Sequence, residues 1–225
     1  YTPDNWYNEV FHNSFRQEYN VSVSGAKDKF NYYASFGYLN DGGIVDNSGY
    51  KRYTGRINAD YQVKKWLKLT TNIAYSHSDS QTASYSSTYG SSGNIFYITN
   101  MMAPIYPLYV RDAEGKIMYE NGLPVYDANQ TNFTRASFMG NAVRDNAYNR
   151  IQSYADVVNA KGGILLTPFK GFTLQANLGI MADNTRTNEL VSRFAGNTSM
   201  DGIAYAAHSR YFTVNQQYLA EYKTD

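Results

Sequence analysis

From Phe30 to Leu39 the chain alternates between two kinds of side chain. Phe30, Tyr32, Ala34, Phe36 and Tyr38 fall on one face of an extended strand. Asn31, Ser35 and Gly37 fall on the other, and Tyr33 is the exception. Successive side chains of a strand point to opposite faces, so the run predicts a strand that is apolar on one side and polar on the other. The alternation is cleaner from Lys51 to Val63. Tyr53, Gly55, Ile57, Ala59, Tyr61 and Val63 share one face; Arg52, Thr54, Arg56, Asn58, Asp60 and Gln62 share the other.

Comparable runs predict seven strands: residues 16–24, 30–39, 51–63, from 67, 151–167, from 172, and 210–222. The connections between them alternate in length. Tight turns are expected over 25–28, 64–66 and 168–171. Loops are expected over 41–50, 81–150 and 187–209. Within the longest loop, 94–102 reads as a helix stopped by Ala103-Pro104, and 110–117 as a small hairpin turning at Glu114-Gly115. Residues 1–15 are irregular, with Asp4 expected to cap a short helical turn carrying Trp6, Val10 and Phe11.

Short turns on one edge, long loops on the other and alternating strands are the pattern of an outer-membrane β-barrel. Several runs reach the ~9–11 residues a tilted strand needs to cross a bilayer. Phe30, Tyr32, Tyr61, Trp66, Phe169 and Phe172 lie near the short turns, and Tyr38, Tyr53, Tyr75 and Tyr211 near the long loops. Two aromatic girdles are what a membrane slab selects. The expected fold is therefore all-β: an antiparallel transmembrane β-barrel segment of about seven strands. Single-chain bacterial barrels use even strand numbers, so seven strands imply a larger barrel. The alternative is a soluble β-sandwich acting as a carbohydrate-binding module.

Composition narrows the choice. No window approaches the ~18 apolar residues of a membrane-spanning helix. The low mean hydropathy of −0.54 still suits a barrel, whose strands interleave lipid-facing and lumen-facing residues. Lys+Arg is 20 and Asp+Glu is 19, a net charge of +1 that leaves no electrostatic footprint for nucleic acid. With Cys at 0, disulfide scaffolds and zinc–thiolate centres are excluded.

No catalytic constellation is visible, and no enzyme activity, cofactor or metal is expected. His12, His77 and His208 are scattered without metal-ligand spacing. Asp112-Ala113-Glu114-Gly115 lacks the remaining ligands of a calcium loop and reads as a turn. Arg52 and Arg56 face the expected lumen together with Asp60. Tyr85, Tyr89, Phe96 and Tyr97 stand among Ser and Gly in the first large loop. Aromatic faces beside hydroxyls and amides suit sugar rings or peptides, so these four are the candidate ligand contacts.

Several stretches carry a family resemblance. They are Asn20-Val-Ser-Val-Ser-Gly25, Asn31-Tyr-Tyr-Ala-Ser-Phe-Gly-Tyr38, Gly43-Ile-Val45, Asn47-Ser-Gly-Tyr-Lys-Arg-Tyr53, Arg56-Ile-Asn58, Val63-Lys-Lys-Trp-Leu-Lys-Leu69 and Asn72-Ile-Ala-Tyr-Ser76. Together they resemble the first part of the barrel domain of SusC/RagA-type TonB-linked outer-membrane transporters of Bacteroidetes. Pro124-Val-Tyr-Asp127 and Pro168-Phe-Lys-Gly-Phe172 recur in that family at matching places. Trp6 and Phe11 resemble the segment leading out of its plug.

The resemblance implies a barrel of about 22 strands with a plugged lumen. It divides the chain into a lead-in segment, 1–15, from plug to barrel, and a partial barrel domain, 16–225. It also implies an outer-membrane location and import of oligosaccharides or peptides. The implied partners are TonB, acting through a plug, a SusD-like surface lipoprotein serving as lid, and outer-membrane lipid.

Overall fold

The computed structural model describes residues 3–83, 94–127, 141–195 and 201–224. The chain order is α1 (Trp6–Val10), β1 (Arg16–Lys27), β2 (Phe30–Gly42), β3 (Gly49–Lys64), β4 (Leu67–Thr82), α2 (Ile95–Met101), β5 (Tyr119–Glu120), β6 (Leu123–Pro124), α3 (Ala142–Tyr148), β7 (Arg150–Leu166), β8 (Phe172–Val191) and β9 (Ile203–Tyr222). Seven strands form one antiparallel sheet in the order β1-β2-β3-β4-β7-β8-β9. β5 and β6 pair only with each other. A β-sandwich needs a second large sheet across its core. Among the described residues, only that two-stranded ribbon accompanies the main sheet. The fold is a section of barrel wall.

Register turns the alternation into rows. Directly paired residues share a face, so one row reads Val23, Ala34, Ile57, Ile73, Ala160, Ile180 and Val214 across all seven strands. The next row toward the long loops reads Val21, Phe36, Gly55, Tyr75, Val158, Ala182 and Phe212. Neither contains a polar side chain apart from the Tyr75 hydroxyl. Burial in this chain does not explain these rows, for Ile57 is 56% exposed and Phe36 equally so. A wide exposed apolar surface on a sheet calls for an apolar surrounding.

The apolar band is oblique to the rows. Its long-loop limit is Tyr38 on β2 and Tyr53 on β3, but Tyr75 on β4 and Val158 on β7, one row lower. Its short-turn limit steps down from Phe30 on β2 to Phe172 and Tyr222 on β8 and β9. Strands tilted to a membrane normal produce this offset, because their pairing direction is not parallel to the membrane plane. Tyr19, Tyr38 and Tyr53 form the upper girdle, with ring separations of 6.4 and 5.0 Å. Phe30 and Tyr61 (6.4 Å) and Phe169 and Phe172 (5.0 Å) belong to the lower one.

Four expectations are corrected. The first turn is not 25–28: Gly25, Ala26 and Lys27 continue the ladder, and Asp28, at φ 51°, turns the chain with Lys29. The loop expected over 187–209 is shorter, because β8 runs to Val191 and β9 starts at Ile203. Hydrogen bonding there continues beyond the apolar band, where polarity no longer alternates. Tyr211 pairs with Asp183 on the polar face, outside the girdle; Phe212 takes the apolar face. Asp4 does not cap α1. Asn5 does, its Oδ1 accepting from Asn8 N at 3.1 Å.

The buried core lies at the long-loop edge. Trp6, Val10, Val45, Ala83, Ile95, Ile98, Met102, Leu108 and Ala142 form one cluster. It joins α1, the β2–β3 loop, the end of β4, α2, the following loop and α3. Each fully buried Ile, Leu or Val contributes about 1.5–3 kcal/mol, so burial holds this loop cluster together.

Candidate functional site: the polar face and the loop cluster

The face opposite the apolar rows is polar over most of its extent. One row reads Ser24, Tyr33, Asn58, Asn72, Lys161, Gly179 and Asn215; its neighbour reads Ala26, Asn31, Asp60, Thr70, Gly163, Asn177 and Gln217. Register puts Arg52, Arg56 and Asp60 together on this face of β3. Asp60 accepts from Lys68 Nζ at 2.9 Å, across the pair of strands. Arg56 stands between Ser35 and Ala74, and Arg52 between Leu39 and Ser78.

A shallow hollow of about 500 Å3 lies beside them, lined mainly by Asn31, Tyr33, Asn58, Asp60, Asn72, Lys161, Gln175 and Asn177. The Oδ1 of Asn58 is buried there and accepts no hydrogen bond from the protein. A buried acceptor without a partner is costly, so the site calls for a water or ligand donor. Amides, hydroxyls and a few charges offer many weak contacts and no reactive group.

At the long-loop edge the loop cluster brings distant segments together through polar contacts. Asp4 Oδ2 accepts from Leu108 N at 2.7 Å, and its other oxygen pairs with Arg111. Trp6 Nε1 donates to Tyr106 O at 2.9 Å. Asn141 Nδ2 donates to the carbonyls of Leu108 (2.9 Å) and Asp127 (3.1 Å). Asn146 and the β2–β3 loop exchange bonds: Asn47 Nδ2 donates to Asn146 O at 2.8 Å, and Asn146 Nδ2 to Asp46 O at 2.7 Å. Tyr109 donates to Glu9 at 3.1 Å. Burial first, and then the Glu9 carboxylate, push the Tyr109 phenol well above its ordinary range. Burial raises Tyr126 in the same direction.

α2 presents two of the four candidate ligand contacts. Asn94 Oδ1 accepts from the backbone N–H of Phe96 and Tyr97, each at 3.1 Å, and fixes the first turn. Ile95 and Ile98 point into the cluster, which turns Phe96 (47% exposed) and Tyr97 (41%) outward. Phe96 packs on Phe11 at 5.8 Å, and Phe11 on Tyr7 at 4.7 Å. Tyr85 and Tyr89 lie outside the described residues. Asp112 is a turn residue, its Oδ1 accepting from Glu114 N and Lys116 N. Among the described residues no cluster of three His, Cys, Asp or Glu is placed to hold a metal. No alternation or spacing points to Arg111, Asn141 and Asn146, and Asp4 reads from the sequence only as a helix cap.

No family model matches the chain. Over 61 residues it is 39% identical to the TonB-dependent receptor P26 of Formosa agariphila, a match covering 27% of this chain and 6% of that receptor. Over 71 residues it is 30% identical to the TonB-dependent receptor SusC of Bacteroides thetaiotaomicron, covering 31% and 7%. Across 99% of its length the chain superimposes on a structure of the RagAB peptide importer in the closed-closed state, with a TM-score of 0.72 and 24% identity. A second RagAB peptide transporter structure matches with a TM-score of 0.68 and 23% identity. The fold is that of a section of wall in those importers' barrels. The chain spans 24% of those solved chains. The relatives it matches are named as receptors and importers, and none of those names describes an enzyme.

Proposed function

We propose that the chain forms part of the wall and long-loop edge of a TonB-dependent nutrient importer of the SusC/RagA type, resident in the outer membrane. The Tyr53–Ile57–Tyr61 side meets lipid. The Arg52–Arg56–Asp60 side meets the lumen, its plug and the passing cargo. The observation that carries this reading is the pair of unbroken apolar rows across seven strands, backed by a face of amides and charges. The cargo is an oligosaccharide or peptide gripped by Phe96 and Tyr97, with Tyr85 and Tyr89 from the same loop. A SusD-like lipoprotein closes the long-loop edge, and TonB acts through the plug.

Single cysteines test the reading in the intact receptor. Ile57→Cys is expected to react with a lipid-soluble maleimide and resist a charged one, and Asn58→Cys the reverse. Equal reaction of Ile57→Cys with the charged reagent would refute a lipid-facing side.

A further inference from the structure

On the apolar face, Gly162 of β7 sits between Thr71 of β4 and Leu178 of β8. Its neighbour Gly163, on the polar face, has a packing reason to be glycine: a β-carbon there would meet Thr70 Oγ1 at 2.5 Å. A β-carbon on Gly162 would meet nothing within 4 Å, and its φ lies outside the left-handed region. Neither backbone nor packing explains this glycine. What it does is leave the floor of a hollow open. Tyr61, Leu69, Ile164, Leu178 and Tyr218 border this open hollow of about 530 Å3. Thr71 lies four residues from Leu67 at the short-turn end, ~13 Å along the strand. That depth falls within one leaflet of a hydrocarbon core ~30 Å thick.

The short-turn edge is basic. Lys27 and Lys29 flank the β1–β2 turn, Lys64 and Lys65 the β3–β4 turn, Lys170 lies in the β7–β8 turn and Lys223 follows β9. Among the described residues of this edge only Asp28 and Glu221 oppose them. The hollow lies between the β3–β4 and β7–β8 turns. A bulge matters here. Gln62 pairs with Lys68, and Lys64 with Leu67, skipping Val63. Without it Lys64 would share the polar face of Gln62. With it Lys64 shares the apolar face of Leu67, and bulges serve to re-aim side chains in this way.

We propose that this corner binds one anionic glycerophospholipid of the leaflet on the short-turn side. Its phosphate sits at Lys64 and Lys65, and one acyl chain lies in the Gly162 hollow. The proposal rests on the reading that the apolar face meets lipid. Charge complementarity selects the occupant: an apolar hollow bordered by Leu69, two residues along the same face from the Leu67–Lys64 pair, fits a chain ending in an anion.

The test is lipid retention by the intact receptor, measured by native mass spectrometry after delipidation and challenge with phosphatidylglycerol or phosphatidylcholine. The wild type is expected to keep one phosphatidylglycerol at least tenfold more readily than phosphatidylcholine. Lys64→Gln with Lys65→Gln is expected to abolish that preference. Gly162→Leu, which fills the hollow, is expected to lose the lipid while keeping heat-modifiable gel migration, the sign of an intact barrel. Equal retention of both lipids, no retention, or retention unchanged in Gly162→Leu would overturn the proposal. Labelling of Ile57→Cys by the lipid-soluble reagent separates the two failures. If that label fails, the wall reading falls; if it succeeds without lipid retention, only the lipid site falls.

Discussion

Ile57 in the middle of β3 keeps 56% of its surface exposed, whereas Ile98 in α2 keeps none. Both are isoleucines in well-formed secondary structure, and the difference lies in what each was selected to meet. Around Ile98 the chain supplies its own apolar shell from segments 6–10, 45, 83, 102, 108 and 142. Around Ile57 it supplies only sheet neighbours, and more than half of that residue's surface stays open. The loop cluster is therefore held by burial and by satisfied polar groups, like a small soluble domain. The sheet is held by its backbone ladder and by its surroundings.

Substitutions that separate the two regions have unequal expected effects. Trp6→Ala removes the largest side chain of the loop cluster and is expected to cost about 3–5 kcal/mol of local stability. Hydrogen exchange in the intact receptor checks it: amides in 94–127 lose protection and the β2–β4 ladder does not. Loss of ladder protection to the same degree would break the distinction. Ile57→Arg is expected to cost about 2–4 kcal/mol in a bilayer, as charges near the midplane of a barrel do. Asn58→Arg, one residue away on the polar face, is expected to change stability little. Denaturant titration in liposomes compares them.

Alkali sharpens the comparison from the other side. Tyr109 ionises at higher pH in the folded cluster than its ordinary value of about 10, because burial and Glu9 disfavour the phenolate. A raised folded value means that the contribution is fully present below the unfolded value and is lost as pH rises through the folded one. Proteolysis of the loop cluster is expected to accelerate above about pH 10 while the sheet stays resistant. Tyr109→Phe is expected to reduce that acceleration; Tyr126, raised in the same direction, leaves a residue of it. The smallest effect belongs to Lys68→Ala. Its pair with Asp60 is half exposed and is expected to matter by less than about 1 kcal/mol, and less still in high salt.

The sheet was legible because its information is local. Tyr53, Ile57 and Tyr61 alternate with Arg52, Arg56 and Asp60 within one run, and a membrane rewards that period directly. The helix at 95–101 was legible for the same reason, from Asn94 at its start and Pro104 beyond its end. What escaped was non-local or broke parity. Asp4 reads as a cap until Leu108, 104 residues away, claims its carboxylate. The bulge at Val63 and the extension of β8 past Thr187 depend on the partner strand, which no single run reveals. Of the candidate contacts, Phe96 and Tyr97 were legible as aromatics in a loop; their outward aim is set by Ile95 and Ile98 on the opposite side of the same helix.

The slant of the apolar band sets a thickness. Eight residue steps separate its limits on β2, Phe30 and Tyr38. At ~3.3 Å per residue and a tilt near 45°, such a strand spans about 19 Å of hydrocarbon. A bilayer core of ~30 Å would have to pinch inward wherever this wall met it. Placed in lipid as proposed, the wall would match a thin membrane, and a thicker one would have to deform around it.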